Sequence, residues 1–370
     1  MPSSRPIVGI DARMWGHPGI GRYIREFVRA LAREFPEKRY GLVLPRACED
    51  PPREPNLFSE YSRSGIYGLR EQFEMPRRAG KFDLFHVPHF NIPVFFRGRM
   101  VVTVHDLIYL RNPGGFYSPA AQAYARFFLG LLAKKECLII SVSNHTKAEL
   151  LECFPKIRPE RIVVIPEAAS PFFKKMEDRG IPEAFRRRES LERPFLLFVG
   201  SFKKHKNIPL LLHAMQRLRD KGFPHELALV GEPDPKNKGL LGQITGAPFA
   251  RMLGRRSDEE LRLLYNLAEA LVVPSLDEGF GLPVLEAMGC GLPVVVSRTA
   301  SLPEVAGEAG AYFDPRNVDA LEGVLYNILK NTELRNAMSR KGIEQAQEFS
   351  WVRTARRTAD VYERAIASNL

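Results

Sequence analysis

The fold of this chain is decided by one stretch, Pro274-Ser275-Leu276-Asp277-Glu278-Gly279-Phe280-Gly281-Leu282-Pro283-Val284-Leu285-Glu286-Ala287-Met288-Gly289. An apolar run precedes it and an amphipathic segment completes it, so the pattern predicts a strand, a tight loop and a helix. Gly279 and Gly281 allow the loop backbone to approach a ligand closely. A strand that leads through such a loop into a helix is typical of parallel α/β sheets.

Strand-like and helix-like segments alternate on both sides of this stretch. In the second half of the chain they are Phe195–Gly200, 208–221, Glu226–Val230, Asp258–Ala268, Ala270–Pro274, 282–290 and Pro293–Ser297. The first half has predicted strands at Ile7–Asp11, Tyr40–Leu44, Leu84–Val87, Met100–Val104 and Leu138–Val142, and predicted helices at Gly19–Glu34, Ala120–Ala133 and Thr146–Glu152. Both series predict α/β domains with Rossmann-like, doubly wound sheets.

The length of 370 residues suits about two domains. Between the two series lies 171–194, which is charged, contains proline and is predicted to be a linker. We therefore predict an N-terminal domain over 1–180 and a C-terminal domain over 181–351. Two such domains are expected to face each other across a cleft, where ligands bind at the carboxyl ends of the strands.

Composition excludes several classes of protein. Apolar residues make up 45% and charged residues 26%, which is ordinary for a globular chain. No apolar run approaches ~18 residues, so a membrane-spanning helix is not expected. The N-terminus carries no signal-like apolar segment, and the four cysteines form no CxxC pair. We therefore expect a reducing, cytoplasmic setting, with neither a disulfide framework nor a zinc site.

The net charge of +11 lies almost entirely in residues 1–190. A basic half suggests an anionic partner, which could be a membrane surface, a polyanion or a phosphorylated ligand, although plain solubility also explains it. No helix-turn-helix, zinc-finger or RNP-type signature accompanies the charge, so nucleic acid is not the expected partner.

Two glutamates in the opening stretch are candidate ligand-binding residues. Carboxylates accept hydrogen bonds, so Glu278 could hold sugar hydroxyls and Glu286 a ribose diol. The amides of Gly281 and Leu282 would lie at a helix N-terminus, where a phosphate is favoured. The alternative is a buried loop–helix junction in which both glutamates serve as caps or in salt bridges.

The stretch resembles the glutamate–seven–glutamate motif of the retaining glycosyltransferases of family 4, which have the GT-B fold. The resemblance extends to Leu253-Gly254-Arg255, to 257–261, to 290–297 and to 302–307. Within the family, the chain looks most similar to bacterial enzymes that build mannose-containing surface polysaccharides. The resemblance also implies that a C-terminal helix, 352–370, crosses back to the N-terminal domain.

The resemblance implies a set of site residues in this sequence. Lys206 matches the lysine that neutralises the donor diphosphate, and His105 matches a histidine near the transferred sugar. With Glu278, these two are the predicted catalytic residues. The predicted donor-binding residues are Gly19, Gly21, Ser201, Lys206, Gly254, Arg255, Glu278, Gly279, Phe280, Gly281, Leu282 and Glu286.

Two departures from the family pattern are visible. Many members carry an arginine where this chain has Ser201, and Lys203, Lys204 and His205 are candidates to replace it. Glu167-Ala168 falls where many members have asparagine and glycine, and this segment is therefore left out of the predicted site.

The resemblance implies transfer of a hexose, with mannose the first guess, from a nucleoside diphosphate sugar with retention of anomeric configuration. GDP-mannose is the first candidate donor, followed by UDP-glucose and UDP-N-acetylglucosamine. The sequence has no Asp-x-Asp pattern, so we expect no metal and no other cofactor. The alternatives are a non-catalytic nucleotide-sugar-binding subunit and an epimerase or hydrolase on the same fold.

The expected acceptor is a glycan or a polyprenyl-linked saccharide at the inner face of the cytoplasmic membrane. The basic N-terminal domain is then expected to make peripheral contact with anionic lipid. The residues predicted to do so are Arg22, Arg25, Arg29 and Arg33 on the first helix.

Overall fold

The structure, a computed structural model, describes residues 6–17, 19–48, 50–111, 117–178, 180–235 and 237–367. The chain divides into two compact units. The first contains the residues described up to Glu167 and those from Ser350 onward, and the second contains Ala168–Phe349. Across the described ranges, no helix combines the length and the apolar character needed to cross a membrane.

The first unit is built on a parallel sheet in the order β3-β2-β1-β4-β5-β6-β7. Its strands are β1 (Val8–Asp11), β2 (Tyr40–Pro45), β3 (Leu57–Ser62), β4 (Leu84–Val87), β5 (Met100–Val104), β6 (Leu138–Ser141) and β7 (Ile162–Val164). Its helices include α1 (Ile20–Glu34), α2 (Glu71–Ala79), α3 (Ile108–Arg111), α4 (Pro119–Lys134) and α5 (Asn144–Cys153). The chain order reverses between β1 and β4, which is where doubly wound sheets bind ligands.

The second unit has a parallel sheet in the order β10-β9-β8-β11-β12-β13. Its first elements are α6 (Gly180–Arg188), β8 (Phe195–Val199), α7 (Ile208–Asp220), β9 (Glu226–Val230), α8 (Lys238–Thr245), β10 (Ala250–Gly254) and α9 (Asp258–Leu267). They are followed by β11 (Ala270–Val273), α10 (Leu282–Gly289), β12 (Val294–Ser297), α11 (Leu302–Ala306), β13 (Gly310–Phe313), α12 (Val318–Lys330) and α13 (Thr332–Gln347). The predicted pair of doubly wound α/β domains is confirmed.

The predicted linker is wrong in part. Residues 180–188 form α6, in which Phe185 and Pro182 are buried. The three arginines at its end made the segment look like a charged linker in the sequence. The unit boundary also differs from the predicted 180/181 and falls after Glu167. The segment after it packs into the second unit, where the Phe173 ring contacts Tyr265 at 5.8 Å.

The last helix, α14 (Trp351–Ala367), belongs to the first unit, which confirms the crossing helix. It packs on α1, where the Trp351 ring meets Tyr23 edge-on at 5.7 Å. Thr354 Oγ1 donates to the Pro166 carbonyl at 2.7 Å. Pro18 and residues 368–370, which fall in the predicted glycine loop and crossing helix, lie outside the described residues.

Candidate functional site

The glutamate loop of the second unit joins the buried strand β11 to α10. Gly281 precedes the helix with φ +113°, in the left-handed region that favours glycine, and a Cβ there would lie 3.1 Å from Leu302 Cδ2. The N-cap residue of α10 is Gly281, which has no side chain to cap the helix, so the first N–H groups are the kind to which a phosphate binds. Ser301 Oγ lies 2.8 Å from the carbonyl oxygens of both Glu278 and Phe280, and it thereby braces the loop.

Lys206 and Glu278 form a close ion pair. Lys206 Nζ donates to Glu278 Oε1 at 2.6 Å, and Ser275 Oγ donates to the same oxygen at 2.6 Å. Burial alone would raise the pKa of Glu278, but the Lys206 ammonium and these hydrogen bonds bring it below its ordinary value. Glu278 is therefore an ionised carboxylate whose Oε1 is already engaged twice.

The loop after β8 carries the three candidate replacements for the missing arginine, Lys203, Lys204 and His205. Burial, reinforced by Lys206, lowers the pKa of His205 to about 3, so this imidazole is neutral at pH 7 and adds no cation. His205 instead accepts a hydrogen bond from Leu276 N at its carbonyl oxygen, 2.8 Å away, which ties the two loops together. Ser201 and Lys204 are exposed and Lys203 is half-buried.

Glu286 lies one turn inside α10 and is buried. Tyr265, which is also buried, donates its hydroxyl hydrogen to Glu286 Oε2 at 2.9 Å. The Phe280 side chain is buried too, with its ring 5.9 Å from Phe349, so the structure gives it a packing contact. Gly279 and Leu282 are half-buried beside it.

The ends of β8, β9 and β10 also lie close together. Gly231, which follows β9, has φ +140°, and a Cβ there would lie 1.9 Å from the Gly200 carbonyl oxygen. Its N–H donates to the Gly254 carbonyl at 3.0 Å. Arg255 is exposed immediately after Gly254. Only glycine fits at position 231, and the sequence reasoning missed it.

In the first unit, His105 follows β5 and both of its ring nitrogens are engaged. Nδ1 lies 2.7 Å from Glu167 Oε1, and Nε2 lies 2.9 Å from the Pro88 carbonyl oxygen. A carbonyl only accepts, so Nε2 carries a proton and the second proton is shared between Nδ1 and Glu167. Burial alone would lower the pKa of His105, but Glu167 raises it above its ordinary value. The ring is held in one orientation.

A buried chain of hydrogen bonds lies behind His105. His86 Nδ1 is 2.6 Å from the Tyr362 hydroxyl, and His86 Nε2 is 2.8 Å from Thr103 Oγ1. Thr103 Oγ1 is in turn 3.3 Å from the Tyr23 hydroxyl, and the Tyr23 ring meets His105 edge-on at 4.8 Å. Burial lowers the pKa of His86 to about 3, so this histidine is neutral. These hydrogen bonds tie α14 to β4 and to β5, the strand that precedes His105.

The predicted glycines of the first unit lie at the start of α1. Gly19 is exposed and precedes the helix, and a Cβ on it would meet nothing within 4 Å. Gly21 is buried, and a Cβ on it would lie 2.5 Å from the Met14 carbonyl oxygen. Glycine is therefore required at position 21 for packing, independently of the donor-binding role predicted for it.

The structure thus groups the predicted residues by unit. Lys206 and Glu278 are in direct contact in the second unit, where Ser201, Gly254, Arg255, Phe280, Gly281, Leu282 and Glu286 also lie. Sequence reasoning missed Ser275, Ser301 and Tyr265 there. It also left Glu167, which contacts His105, out of the site in the first unit.

Known proteins match both halves of the chain. Residues 181–345 match the family "Glycosyl transferases group 1" and residues 18–170 match "Glycosyltransferase Family 4". The chain is 32% identical to the O-antigen chain mannosyltransferase B of Escherichia coli over 93% of this chain and 96% of that protein. It is 29% identical to the serotype-specific mannosyltransferase WbdA of Escherichia coli over 76% of this chain, and that match spans 35% of WbdA.

A solved structure shares the fold. Anabaena Alr3699/HepE, whose structure holds UDP-glucose, superposes with a TM-score of 0.77 over 97% of this chain and 100% of that one, at 16% identity.

Proposed function

The chain belongs to the glycosyltransferases of group 1 and family 4, and from that premise we propose that it moves a mannosyl residue from GDP-mannose to a glycan acceptor. The observation that carries the proposal is the Lys206–Glu278 ion pair, which joins the loops after β8 and β11 at 2.6 Å. A cation suits a diphosphate, and an ionised carboxylate suits sugar hydroxyls.

The mannosyl group is proposed because both relatives from Escherichia coli are named as mannosyltransferases. The comparisons say less about the base of the donor nucleotide, since the structure of HepE holds UDP-glucose. UDP-glucose and UDP-N-acetylglucosamine are therefore the rival donors. The acceptor class follows from the first relative, which acts on O-antigen chains, so we propose a growing bacterial surface polysaccharide at the inner face of the cytoplasmic membrane.

Donor binding begins with an exchange of partners. Lys206 Nζ leaves Glu278 Oε1 for a diphosphate oxygen, and Glu278 turns to the hydroxyls of the sugar. The first-turn N–H groups of α10 and its dipole face the same diphosphate. These groups stabilise the negative charge that grows on the leaving diphosphate as the bond to the anomeric carbon breaks.

Retention is proposed without a carboxylate nucleophile. In the proposed donor complex Glu278 Oε1 still accepts from Ser275 Oγ, and the carboxylate is bonded to the sugar hydroxyls rather than placed to attack the anomeric carbon. The bond between the anomeric carbon and the diphosphate oxygen breaks while the acceptor oxygen bonds to that carbon on the same face. The acceptor proton passes to the departing diphosphate oxygen. His105, held by Glu167, is proposed to position the transferred sugar.

Transfer is proposed to be independent of a metal ion, since Lys206 and the helix N-terminus supply positive charge to the diphosphate. EDTA is expected to leave the turnover number within about threefold of its untreated value. Loss of more than an order of magnitude, restored by added Mg²⁺ or Mn²⁺, would contradict the proposal.

The donor proposal is tested by thermal unfolding with GDP, UDP, ADP and their hexose conjugates. A ligand at 100 times its Kd stabilises by about 2.7 kcal/mol, which is a shift of a few degrees for domains of this size. We expect a shift with GDP-mannose that Lys206→Ala removes. An equal shift in that variant would overturn the assigned site.

Turnover separates the alternatives. Mannose transfer to a soluble mannoside, with the anomeric configuration read by NMR, is the expected result. Donor binding without transfer would indicate a non-catalytic subunit, and donor consumption without an acceptor would indicate a hydrolase or an epimerase.

A further inference from the structure

Large apolar side chains are exposed together on one face of the first unit. Leu69 is 86% exposed, and Phe73 and Phe95 are each 60% exposed. Leu69 lies in the turn two residues before α2, and Phe73 lies in the first turn of that helix. The Phe73 and Phe95 rings lie 5.5 Å apart, which brings the segment after β4 to the same face. Clustered exposed apolar groups mark interaction surfaces more often than scattered ones.

Arginines surround these side chains. Arg70, Arg77, Arg97 and Arg99 are exposed, and none of them pairs with an acid among the residues that the structure describes. Arg77 is four residues beyond Phe73 on the helix, and Arg97 follows Phe95 closely. We call this face the arginine–phenylalanine patch. It consists of Leu69, Arg70, Phe73, Arg77, Phe95, Arg97 and Arg99.

Three nearby acids are paired with other basic residues, and a fourth is outnumbered by the arginines of the patch. Glu71 accepts from Arg13 at 2.8 Å in the interior. Glu74 accepts from Arg78 at 2.7 Å, and Glu60 accepts from Lys81 at 2.8 Å. Asp83 Oδ2 accepts only from the uncharged Ile7 N–H at 2.7 Å, so Asp83 keeps its negative charge beside Arg97 and Arg99 in the cavity lining, where the arginines outnumber it. The patch therefore keeps a positive charge of its own.

An open cavity of about 420 Å³ lies within the same face. Phe95 and Pro76 form part of its apolar wall, and Arg97 and Arg99 line it as well. Apolar surface and guanidinium groups thus lie side by side. This combination matches the border between phospholipid headgroups, which carry phosphate, and the acyl region beneath them.

We propose that the arginine–phenylalanine patch docks on an anionic phospholipid surface, with Leu69, Phe73 and Phe95 entering the interface and the arginines contacting lipid phosphates. The proposal deepens the proposed function, because docking would bring the first unit to a membrane-borne acceptor. It also moves the predicted membrane contact away from α1. There Arg25 donates to the Trp15 carbonyl, and one face of the helix is buried by α14.

The test measures binding of the full chain to vesicles by co-sedimentation, without donor or acceptor. Phosphatidylcholine vesicles that contain phosphatidylglycerol are compared with pure phosphatidylcholine vesicles. Arg77→Gln/Arg97→Gln is expected to weaken binding to the anionic vesicles about 25-fold, at roughly fivefold per arginine. Phe73→Ser/Phe95→Ser is expected to weaken binding even at low salt. These side chains are exposed, and unchanged thermal unfolding verifies that the variants fold.

The matched control is Arg29→Gln/Arg33→Gln, which removes the same charge from α1 and is expected to retain most of the binding. Equal or greater loss in this control would overturn the proposal in favour of α1, as would equal binding to both kinds of vesicle. A dimer that Phe73→Ser/Phe95→Ser dissociates, with no vesicle binding by the unaltered chain, would show instead that a second copy covers the patch. Nucleotide-induced thermal shifts without lipid test the donor site, so failure of one proposal is separate from failure of the other.

Discussion

At its candidate site each unit pairs one carboxylate with one basic side chain, but the two pairs are built differently. In the second unit, Lys206 meets Glu278 through its single ammonium group, and a lysine can change partners by rotating its side chain. In the first unit, His105 is held from both sides, by Glu167 at 2.7 Å and by the Pro88 carbonyl at 2.9 Å. The Lys206–Glu278 pair can therefore open for a ligand, whereas the contacts of His105 fix its ring in place.

Replacing Lys206 tests the pair that is proposed to open, and it is expected to have the largest effect. Lys206→Ala should lower kcat/KM by 100- to 1,000-fold, which corresponds to ~2.7–4 kcal/mol of lost transition-state stabilisation. Lys206→Arg should recover part of the loss, because it restores the positive charge. Lys341→Ala, an exposed lysine in the same unit, is the control and should remain near the unaltered rate. A Lys206→Ala rate within fivefold of the unaltered enzyme would remove the exchange mechanism.

Replacing Glu167 tests the fixed pair. Glu167→Gln should lower the pKa of His105, because the carboxylate is what raises it. A raised pKa stabilises the fold below the unfolded-state value of about 6.5, and this stabilisation is lost as pH rises through the folded-state pKa. The variant should therefore lose roughly 1.5–3 kcal/mol of unfolding free energy near pH 6 and less at alkaline pH.

Unfolding measured across pH, together with the ring proton shifts of His105, checks this expectation. Glu269→Gln is the matched control, since it removes a more exposed carboxylate 3.3 Å from His225 and should produce a smaller change. A loss for Glu167→Gln that is the same at every pH would show that the pair acts through packing alone.

Ser301→Ala tests whether the loop that carries Glu278 must be held in place for the donor to bind. It removes the hydroxyl that contacts the Glu278 and Phe280 carbonyls, at a cost of about 1 kcal/mol in unfolding free energy. The donor KM should rise several-fold, because the loop that positions Glu278 loses its brace. Ser339→Ala, on α13 of the same unit, serves as the control. An unchanged KM would show that the remaining loop contacts suffice.

The sequence predicted the architecture and the motif residues better than it predicted their partners. Short apolar runs located β4, β5 and β9 within a residue, because buried parallel strands are largely apolar. The helix α6 was missed because Arg186-Arg187-Arg188 gives the segment a charged appearance, although Phe185 is buried.

Partners that depend on long-range contacts could not be predicted. Glu167 is 62 residues from His105, and Ser301 is 23 residues from Glu278. Only the sheet order brings the members of each pair together. A carboxylate or a hydroxyl after a strand carries no local sign of which side chain it will meet.

The position of α14 has a consequence for synthesis on the ribosome. Tyr362 and Trp351 complete the surroundings of His86 and Tyr23, yet they are translated only after the whole second unit. During synthesis, the face of α1 that α14 covers therefore stays exposed until α14 has been translated, while the second unit can already fold. A chaperone that recognises exposed apolar helices would find its binding site there, and it would lose that site when α14 docks.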